Sequence, residues 1–253
     1  MRSACCRWLA ACLALGLQQA RAQTEVNQLS PQEQAAGWRL LFDGTSTAAW
    51  RGAGQEEFPA GCWGVEDGCL KYERRPDEER AGDIITREEF TDFELRWDWR
   101  IEPGGNSGVK YLLYRRGGRP DDKFGWTGLE YQLIDDERHS DARRAANRTA
   151  GAVYDLLAPG PKDLRPPGQF NESRIVVQGD RVEHWLNGVK ILEFELGSEE
   201  FKAAIGRSKY RGIAGFGTKR PSPILLQDHG NPVRFRNLKI RDLSAAPPAA
   251  EAK

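Results

Sequence analysis

The sequence lacks both a net charge and a long hydrophobic run. Its 253 residues include 37 Lys or Arg and 37 Asp or Glu, so no overall field favours nucleic acid or an anionic membrane surface. No stretch reaches the ~20 apolar residues that a transmembrane helix needs. We therefore expect a soluble protein with a small or neutral partner, no nucleic acid and no membrane span.

The N-terminus carries an apolar stretch that is too short to cross a bilayer. Arg2 and Arg7 precede the apolar segment 8–17, and Ala20-Arg21-Ala22 then forms an A-x-A site. This order is typical of a secretory signal peptide. We predict a signal peptide at residues 1–22, cleavage after Ala22, and an exported protein that is periplasmic or secreted.

Cysteine is scarce, and three of the five cysteines lie in the predicted signal peptide. The mature chain keeps Cys62 and Cys69 in an oxidising compartment. Asp67-Gly68 between them predicts a two-residue hairpin turn, which places Cys62 roughly 13 Å beyond the position opposite Cys69. That separation exceeds the reach of a disulfide, so we predict no bridge.

Helical patterns are also few. Ser30 to Glu33 fits a capping box that starts a short helix ending near Gly37, and Ser198 is expected to cap a second helix through Ile205. Short alternating segments make up the rest. We predict strands at 38–42, 93–101, 109–114, from Gly128 onward, and at 151–157, 213–216, 224–226 and 233–240, with a hairpin around residues 67–68 and a three-stranded meander over 174–194.

About a dozen short strands with almost no helix predict two antiparallel sheets. The fold class is therefore all-β, with the two sheets packed face to face as a sandwich. No internal repeat or linker divides the chain. We expect a single domain over residues 32–243 and a disordered tail over residues 244–253.

The segment from Gly128 to His139 joins an alternating strand to an acidic loop. Leu129, Tyr131 and Leu133 fall on one face, whereas Glu130 and Gln132 fall on the other. Solvated polar residues are common on the outer face of a sandwich strand. A Glu beside a His is, however, also suited to acid–base chemistry or to metal binding.

Only three histidines occur in the chain. His139 follows the acidic loop and His229 lies in LQDHG, so we expect both to converge with Glu130 at one site. His184 alternates with apolar residues, which predicts a place in the core or beneath the site. Trp126, beside the candidate strand, is a candidate sugar platform.

Several chemistries have no support in the sequence. The glycine-containing loops at 104–105 and 215–217 do not open a helix, which argues against a phosphate-binding loop. No serine lies in a nucleophile-elbow context and no Cys–His pair is indicated, so covalent acyl transfer is not expected.

A series of motifs spans nearly the whole mature chain in one order. They are GWRLLFDG, WGVEDGCL, FELRWDWRI, GGNSGVKY, GLEYQLIDD, AGAVYDL, HWLNG, LQDHG and FRNLKIRDL. In these motifs the chain resembles the 3-keto-disaccharide hydrolase domain, from about Gly37 to Leu243. The resemblance implies a concanavalin-like jelly-roll β-sandwich in an exported enzyme that acts on glycosides oxidised at C3.

The resemblance also implies a reaction and a set of positions. A ketone at C3 acidifies the C2 hydrogen, so a base can remove it, the C1 substituent is eliminated, and water then adds. A divalent metal ion or a hydrogen-bond donor would stabilise the enolate oxygen. We expect the catalytic residues to be Glu130, His139 and His229, and the substrate-binding residues to be Asn106, Trp126, Gln132, His184, Gln227 and Asp228.

Two other functions remain open at this point. The same architecture serves non-catalytic carbohydrate-binding, lectin-like modules, since fold does not fix function. A conventional glycoside hydrolase would instead pair Glu130 with Asp135 or Asp136, with the two carboxylates roughly 5 to 10 Å apart.

Overall fold

The computed structural model describes residues 25–74, 81–115 and 125–244. The predicted signal peptide at 1–22 lies outside these residues, as does the predicted tail beyond residue 244. The longer of the two α-helices in the described part has nine residues, and no helix there is long and apolar enough to cross a membrane.

The described residues form thirteen strands and two α-helices. The helices are α1 (Pro31–Ala35) and α2 (Glu199–Arg207). The strands are β1 (Arg39–Leu40), β2 (Trp50–Gly52), β3 (Trp63–Glu66), β4 (Cys69–Tyr72), β5 (Ile84–Thr86), β6 (Phe93–Ile101), β7 (Asn106–Arg115), β8 (Trp126–Ile134), β9 (Asn171–Gln178), β10 (Arg181–Leu186), β11 (Val189–Glu195), β12 (Leu225–Leu226) and β13 (Val233–Asp242).

The strands build two antiparallel sheets. The large sheet has the order β11-β10-β9-β6-β13-β4-β3, with β1 paired to β13, and the small sheet has the order β2-β5-β12-β7-β8. Strands distant in sequence lie side by side in both sheets. The predicted all-β, concanavalin-like jelly-roll sandwich is confirmed.

Aromatic side chains fill the space between the sheets. The alternation of β6 buries one complete face of that strand against the small sheet. Trp97 meets Tyr131 edge-on at 5.1 Å between ring centroids, and Phe93 meets Tyr111 at 6.3 Å. Aromatic pairs in these geometries stabilise a core beyond their area burial, so β8 is held firmly by its inner face.

His184 lies inside this core and has no exposed surface. Its Nδ1 is 2.9 Å from the carbonyl oxygen of Gly151, and its Nε2 is 2.7 Å from the hydroxyl of Tyr111. A carbonyl only accepts, so Nδ1 donates and Nε2 accepts from the tyrosine. Burial lowers the pKa of His184 from 6.5 to about 4, and the side chain ties the two sheets together as a neutral group.

The predicted turns and caps agree with the structure. Ser30 accepts from the backbone of Glu33 in a complete capping box, and Ser198 caps α2. The hairpin at Asp67-Gly68 has positive φ at both residues and pairs Glu66 with Cys69. The two remaining cysteines form no disulfide in the described structure.

Two predicted strands are wrong. Residues 151–157 form turns with isolated bridges from Val153 to Tyr131 and Leu157, because Gly151 and Asp155 both adopt positive φ and interrupt the alternation. Residues 213–216 form a turn for the same reason, with Gly215 at φ 73°. In the other direction, β7 begins at Asn106, three residues before the strand predicted at 109–114.

Candidate active site

The outer face of the small sheet carries a group of polar side chains in the middle of β7 and β8. Lys110 is paired with Glu130, and Gly108 with Gln132. Neighbours in an antiparallel register share a face, and this face is opposite to the one that buries Tyr131. We call Asn106, Lys110, Glu130, Gln132 and Gln227 the polar cluster.

Glu130 lies across β7 rather than pointing straight outward. A Cβ added to Gly108 would stand only 2.5 Å from Oε1 of Glu130, so a glycine is what leaves room for the carboxylate. The Glu130 residue is only 6% exposed. Such a buried carboxylate needs hydrogen-bond donors around it.

Two amides supply these donors. In the orientation that satisfies both of its ends, the amide of Gln227 donates to Oε1 of Glu130 at 3.3 Å and accepts from Nζ of Lys110 at 3.1 Å. The amide nitrogen of Gln132, oriented likewise, lies 3.2 Å from the same oxygen. Lys110 also lies 4.0 Å from the carboxylate of Asp83.

The cluster leads to two histidines at its edge. The amides of Gln132 and Asn106 meet at 3.3 Å, and the Asn106 amide lies 3.4 Å from Nε2 of His229. The rings of His229 and His139 are 6.1 Å apart between centroids and nearly perpendicular. His229 is exposed and His139 is half-buried. The structure therefore brings Glu130, Asn106, Gln132 and both histidines together, as predicted from the sequence.

His139 is fixed by its own loop. Its Nδ1 accepts a hydrogen bond from the backbone N–H of Asp141 at 3.1 Å. That contact requires a lone pair on Nδ1, so the neutral ring carries its proton on Nε2. His139 thus presents an N–H from its free side.

Asp228 supports the loop that carries His229. Its carboxylate accepts from the backbone N–H groups of Gly82 and Gly230, each at 2.9 Å, and its own N–H donates to Asp83 at 2.9 Å. Desolvation raises the pKa of Asp83, and the Lys110 charge opposes this rise. These contacts anchor the loop, and the substrate-binding role of Asp228 stays a prediction.

Trp126 lies on the same face of β8 as Glu130, four residues and roughly 13 Å away. Its Nε1 donates to the carbonyl oxygen of Ala53 at 2.7 Å, and its ring packs against a small apolar patch formed by Ala53, Ile85, Leu113 and Leu225. The outer face of the sheet therefore has an apolar half beside its polar half. His184, by contrast, lies in the core and not on this face.

Asp135 and Asp136 are engaged elsewhere. Burial opposes ionisation of Asp135, but the backbone N–H groups of Gly104, Arg138 and Glu137 outweigh it and lower the pKa of the carboxyl. Asp136 pairs with Lys162 at 2.7 Å and accepts from the backbone of Ala150. Both carboxylates hold the loop together, which weakens the pairing with Glu130 that a conventional glycosidase requires.

A network of charged side chains that the sequence analysis missed borders the site. Arg148 binds Asp141 at 2.7 Å and Asp155 at 2.6 Å. The Tyr154 hydroxyl donates to Asp141 at 2.6 Å. Burial is the main cause of the raised pKa of Tyr154, and the contact with Asp141 raises it further. The network links the His139 loop to residues beside β8. The sequence does not predict this network, because its residues follow no common periodicity.

Lys209, in the loop after α2, joins this network. Its backbone N–H donates to Asp155 at 2.8 Å, and its Nζ stands 4.2 Å from the ring centroid of Tyr154. Loss of hydration lowers the pKa of Lys209, while the charge of Glu130 opposes the change. Its position depends on how the loop folds back, which the sequence alone does not indicate.

Within residues 25–74, 81–115 and 125–244, no three His, Cys, Asp or Glu side chains gather as a metal-binding group. The predicted divalent cation therefore has no ligand set of that kind in the described part.

The fold and the polar centre on the small sheet define the chain as a jelly-roll protein with a candidate active site. Residues 37–241 match the 3-keto-alpha-glucoside-1,2-lyase-like domain, and the chain belongs to this family of carbohydrate-acting hydrolases and lyases.

Named relatives agree with this assignment. The chain is 31% identical to a 3-keto-disaccharide hydrolase of Bacteroides thetaiotaomicron, over 87% of this chain and 83% of that protein. A Parabacteroides distasonis crystal structure, provisionally described as a glycosyl hydrolase, has a TM-score of 0.75 at 33% identity and covers 87% of this chain and 100% of its own. A second from that organism, with the same description, has a TM-score of 0.58 at 26% identity, covering 81% and 99%.

Proposed function

We propose that the protein cleaves 3-keto-glycosides by removing the C2 proton, eliminating the C1 substituent and adding water. The observation that carries this proposal is the chain of side chains from Glu130 through Gln132 and Asn106 to His229, with His139 beside it. It supports a positioned base and a positioned donor, which is what elimination next to a ketone requires.

The Glu130 carboxylate sets the direction, from donor to acceptor, of the hydrogen bonds that lead to His229. Because Glu130 only accepts, the amide nitrogen of Gln132 turns toward it, and the amide oxygen then turns toward Asn106. This direction requires the Asn106 amide to be turned as well, so that its nitrogen donates to Gln132 at 3.3 Å and its oxygen accepts from Nε2–H of His229 at 3.4 Å. Nδ1 of His229 keeps its lone pair in this arrangement, and we assign it as the base that takes the C2 proton.

His139 has the complementary role. Its Nε2–H, set by the hydrogen bond from Asp141 to Nδ1, is available to the oxygen that leaves C1. In the first step the C2–H bond breaks, the proton passes to His229, and the electron pair forms the enolate of the C3 ketone. In the second, the C1–O bond breaks, C1=C2 forms and the enolate returns to the C3 ketone, while the departing oxygen accepts a hydrogen bond from Nε2–H of His139 and takes the proton that His229 removed from C2.

Hydration completes the sequence. Water adds its oxygen to C1 and a proton to C2, which restores the 3-keto sugar and gives net hydrolysis. Gln132, Asn106 and Gln227 provide polar groups to the sugar, and the partly exposed ring of Trp126 offers it, or its aglycone, an apolar surface.

A pair of matched substrates tests the proposal. The protein is incubated with an ordinary disaccharide and with its 3-keto derivative, and release of free sugar is measured. Cleavage of the ketone alone is expected. Cleavage of both would favour a conventional glycosidase, and binding without cleavage would favour a lectin-like module.

The cofactor and the location are proposed with the function. A divalent cation would stabilise the enolate if one is recruited, and turnover before and after chelation with EDTA tests this. Export is tested by N-terminal sequencing of the protein from its native host: the mature chain is expected to start at Gln23, and an intact Met1 would contradict the signal peptide.

A further inference from the structure

We propose that Lys209 is a catalytic residue whose ammonium group stabilises the oxygen at C3 as the enolate forms. The inference rests on the elimination proposed above and adds the group that receives the developing negative charge. His229 acts on the C2 proton and His139 on the oxygen that leaves C1. Neither histidine stabilises the negative charge on the C3 oxygen.

The loop after α2 holds Lys209 at the site by its backbone. Its N–H donates to Asp155 at 2.8 Å, and Arg148 fixes that carboxylate through two nitrogens, at 2.6 and 3.1 Å. Asp155 itself adopts φ 62°, a conformation that costs energy for a non-glycine residue and is frequent at functional sites. The anchor of Lys209 is therefore rigid.

Two aromatic rings position the side chain. The Nζ stands 4.2 Å from the centroid of Tyr154 and 5.0 Å from that of Tyr210. The backbone N–H of Tyr154 donates to the carbonyl oxygen of Glu130 at 3.0 Å. The ammonium thus lies over Tyr154, a residue whose backbone is bonded directly to Glu130 in β8.

Lys209 forms no ion pair with the residues that the structure describes. Among the described residues no carboxylate oxygen lies within 4.0 Å of its Nζ, whereas Lys162 is bound to Asp136 and Lys202 to Glu199. Glu130 exerts the strongest carboxylate influence on it, ahead of Asp155. An ammonium that forms no ion pair is available to a negative charge that develops on the substrate.

The ammonium of Lys209 is accessible to a bound sugar, because the residue is exposed. Partial loss of hydration nevertheless lowers the pKa of Lys209. Preorganised donors at a developing oxyanion act most strongly where water is excluded. The ammonium donates a hydrogen bond to the C3 oxygen, strongest once the C2 proton has passed to His229.

The test separates enolate formation from elimination. A 3-keto-1,5-anhydro sugar has no leaving group at C1, so exchange of its C2 hydrogen for deuterium reports the enolate alone. Lys209→Met is expected to lower both this exchange and turnover of a 3-keto-glycoside by about 100- to 1,000-fold, the range for loss of one oxyanion donor. Lys209→Arg keeps a cation and is expected to retain part of both rates.

Controls distinguish chemistry from folding. Lys202→Met removes a lysine on the exposed face of α2 and is expected to leave both rates unchanged. Ethylammonium is expected to restore turnover to Lys209→Ala in a saturable manner, which a misfolded variant would not allow. Absence of both the loss and the rescue, in a protein whose wild type cleaves the 3-keto substrate, would overturn the role of Lys209 alone.

Two further results are decisive. Substrate-dependent inactivation by borohydride, with the sugar attached to Lys209, would replace the ammonium role by a Schiff base and overturn the inference. A wild-type protein that neither cleaves the 3-keto-glycoside nor exchanges the C2 hydrogen would overturn the proposed function, and Lys209 with it.

Discussion

Glu130 accepts hydrogen bonds from two glutamine amides while it lies over a glycine, and this arrangement sets the direction of the hydrogen bonds as far as His229. Replacing the carboxylate changes the direction without changing the volume. Glu130→Gln is expected to fold normally and to lower turnover by at least ~100-fold, as for a positioned acid–base group. Turnover of a 3-keto-glucoside measures the effect.

Glu199→Gln is the matched control, because Glu199 is almost fully exposed on α2, with 91% of its side chain accessible. Near-normal turnover of both Glu130→Gln and His139→Ala would mean that the catalytic centre lies elsewhere, even within this family.

Asn106 transmits that direction to His229. Asn106→Leu has a similar volume but cannot pair with either neighbour, so the imidazole loses its preferred tautomer. We expect turnover to fall by about 100-fold with little change in KM. Because both residues act in one unit, Asn106→Leu combined with His229→Ala is expected to be no slower than His229→Ala alone. Additive losses would argue against the relay.

The sequence predicted the residues that lie on a strand or in a distinctive motif. Glu130 and Gln132 follow from the alternation of one strand, and His139 and His229 stand out because histidine is rare. The sequence did not predict Lys209 or Arg148. Their places depend on loops folding over the edge of β8, and charged residues in loops are too common to be singled out by pattern.

At the scale of elements, β7 and β8 form a pair whose register serves the site. Gly108→Ala puts a methyl group where Glu130 lies, since the new Cβ would be 2.5 Å from Oε1. We expect displacement of the carboxylate, a large loss of turnover, and destabilisation on the order of 1–3 kcal/mol from overpacking. Turnover and urea unfolding measure the two effects.

Gly64→Ala is the control for this prediction. Gly64 also lies in a strand, but a Cβ there meets nothing within 4 Å. Equal behaviour of the two variants would show that the glycine in β7 is not required to make space for the carboxylate.

The elements that were predicted correctly are those with local signals. Turn residues mark the hairpin at 67–68 and the meander over 174–194, and caps mark both helices. Residues 151–157 looked like a strand because their apolar residues alternate. In the structure, this segment instead forms hydrogen bonds with the edge of β8, and the N–H of Gly151 donates to the carbonyl oxygen of Gln132 at 2.9 Å. These tertiary contacts override the local preference for a strand.

For the whole molecule, the buried histidine predicts a dependence of stability on pH. Burial lowers the pKa of His184 from 6.5 to about 4 in the folded state. Between these two pH values, His184 is protonated in the unfolded chain and neutral in the folded chain. The contribution is complete above pH 6.5 and is lost as the pH falls toward about 4, a change on the order of 3 kcal/mol. Urea unfolding at successive pH values measures it.

His184→Gln removes the titration while it preserves a donor and an acceptor for Gly151 and Tyr111, and it is expected to flatten the slope between pH 4.5 and 6.5, inside this window. Gly64→Ala, where a Cβ meets nothing within 4 Å, removes no titratable group and is expected to leave the slope unchanged. A wild-type protein with constant stability across this interval would contradict the neutral buried histidine.

Arg148 has a consequence for how specificity can change within this family. Arg148 forms ion pairs with both Asp141 and Asp155. It therefore connects the loop of His139 to the loop of Lys209, and neither loop can change alone without the loss of an ion pair. Among the residues that the structure describes, no arginine bridges two carboxylates on the Trp126 side of the sheet. Relatives that accept bulkier aglycones are therefore expected to diverge around Ala53 and Trp126, while the other wall of the site stays fixed by a single guanidinium.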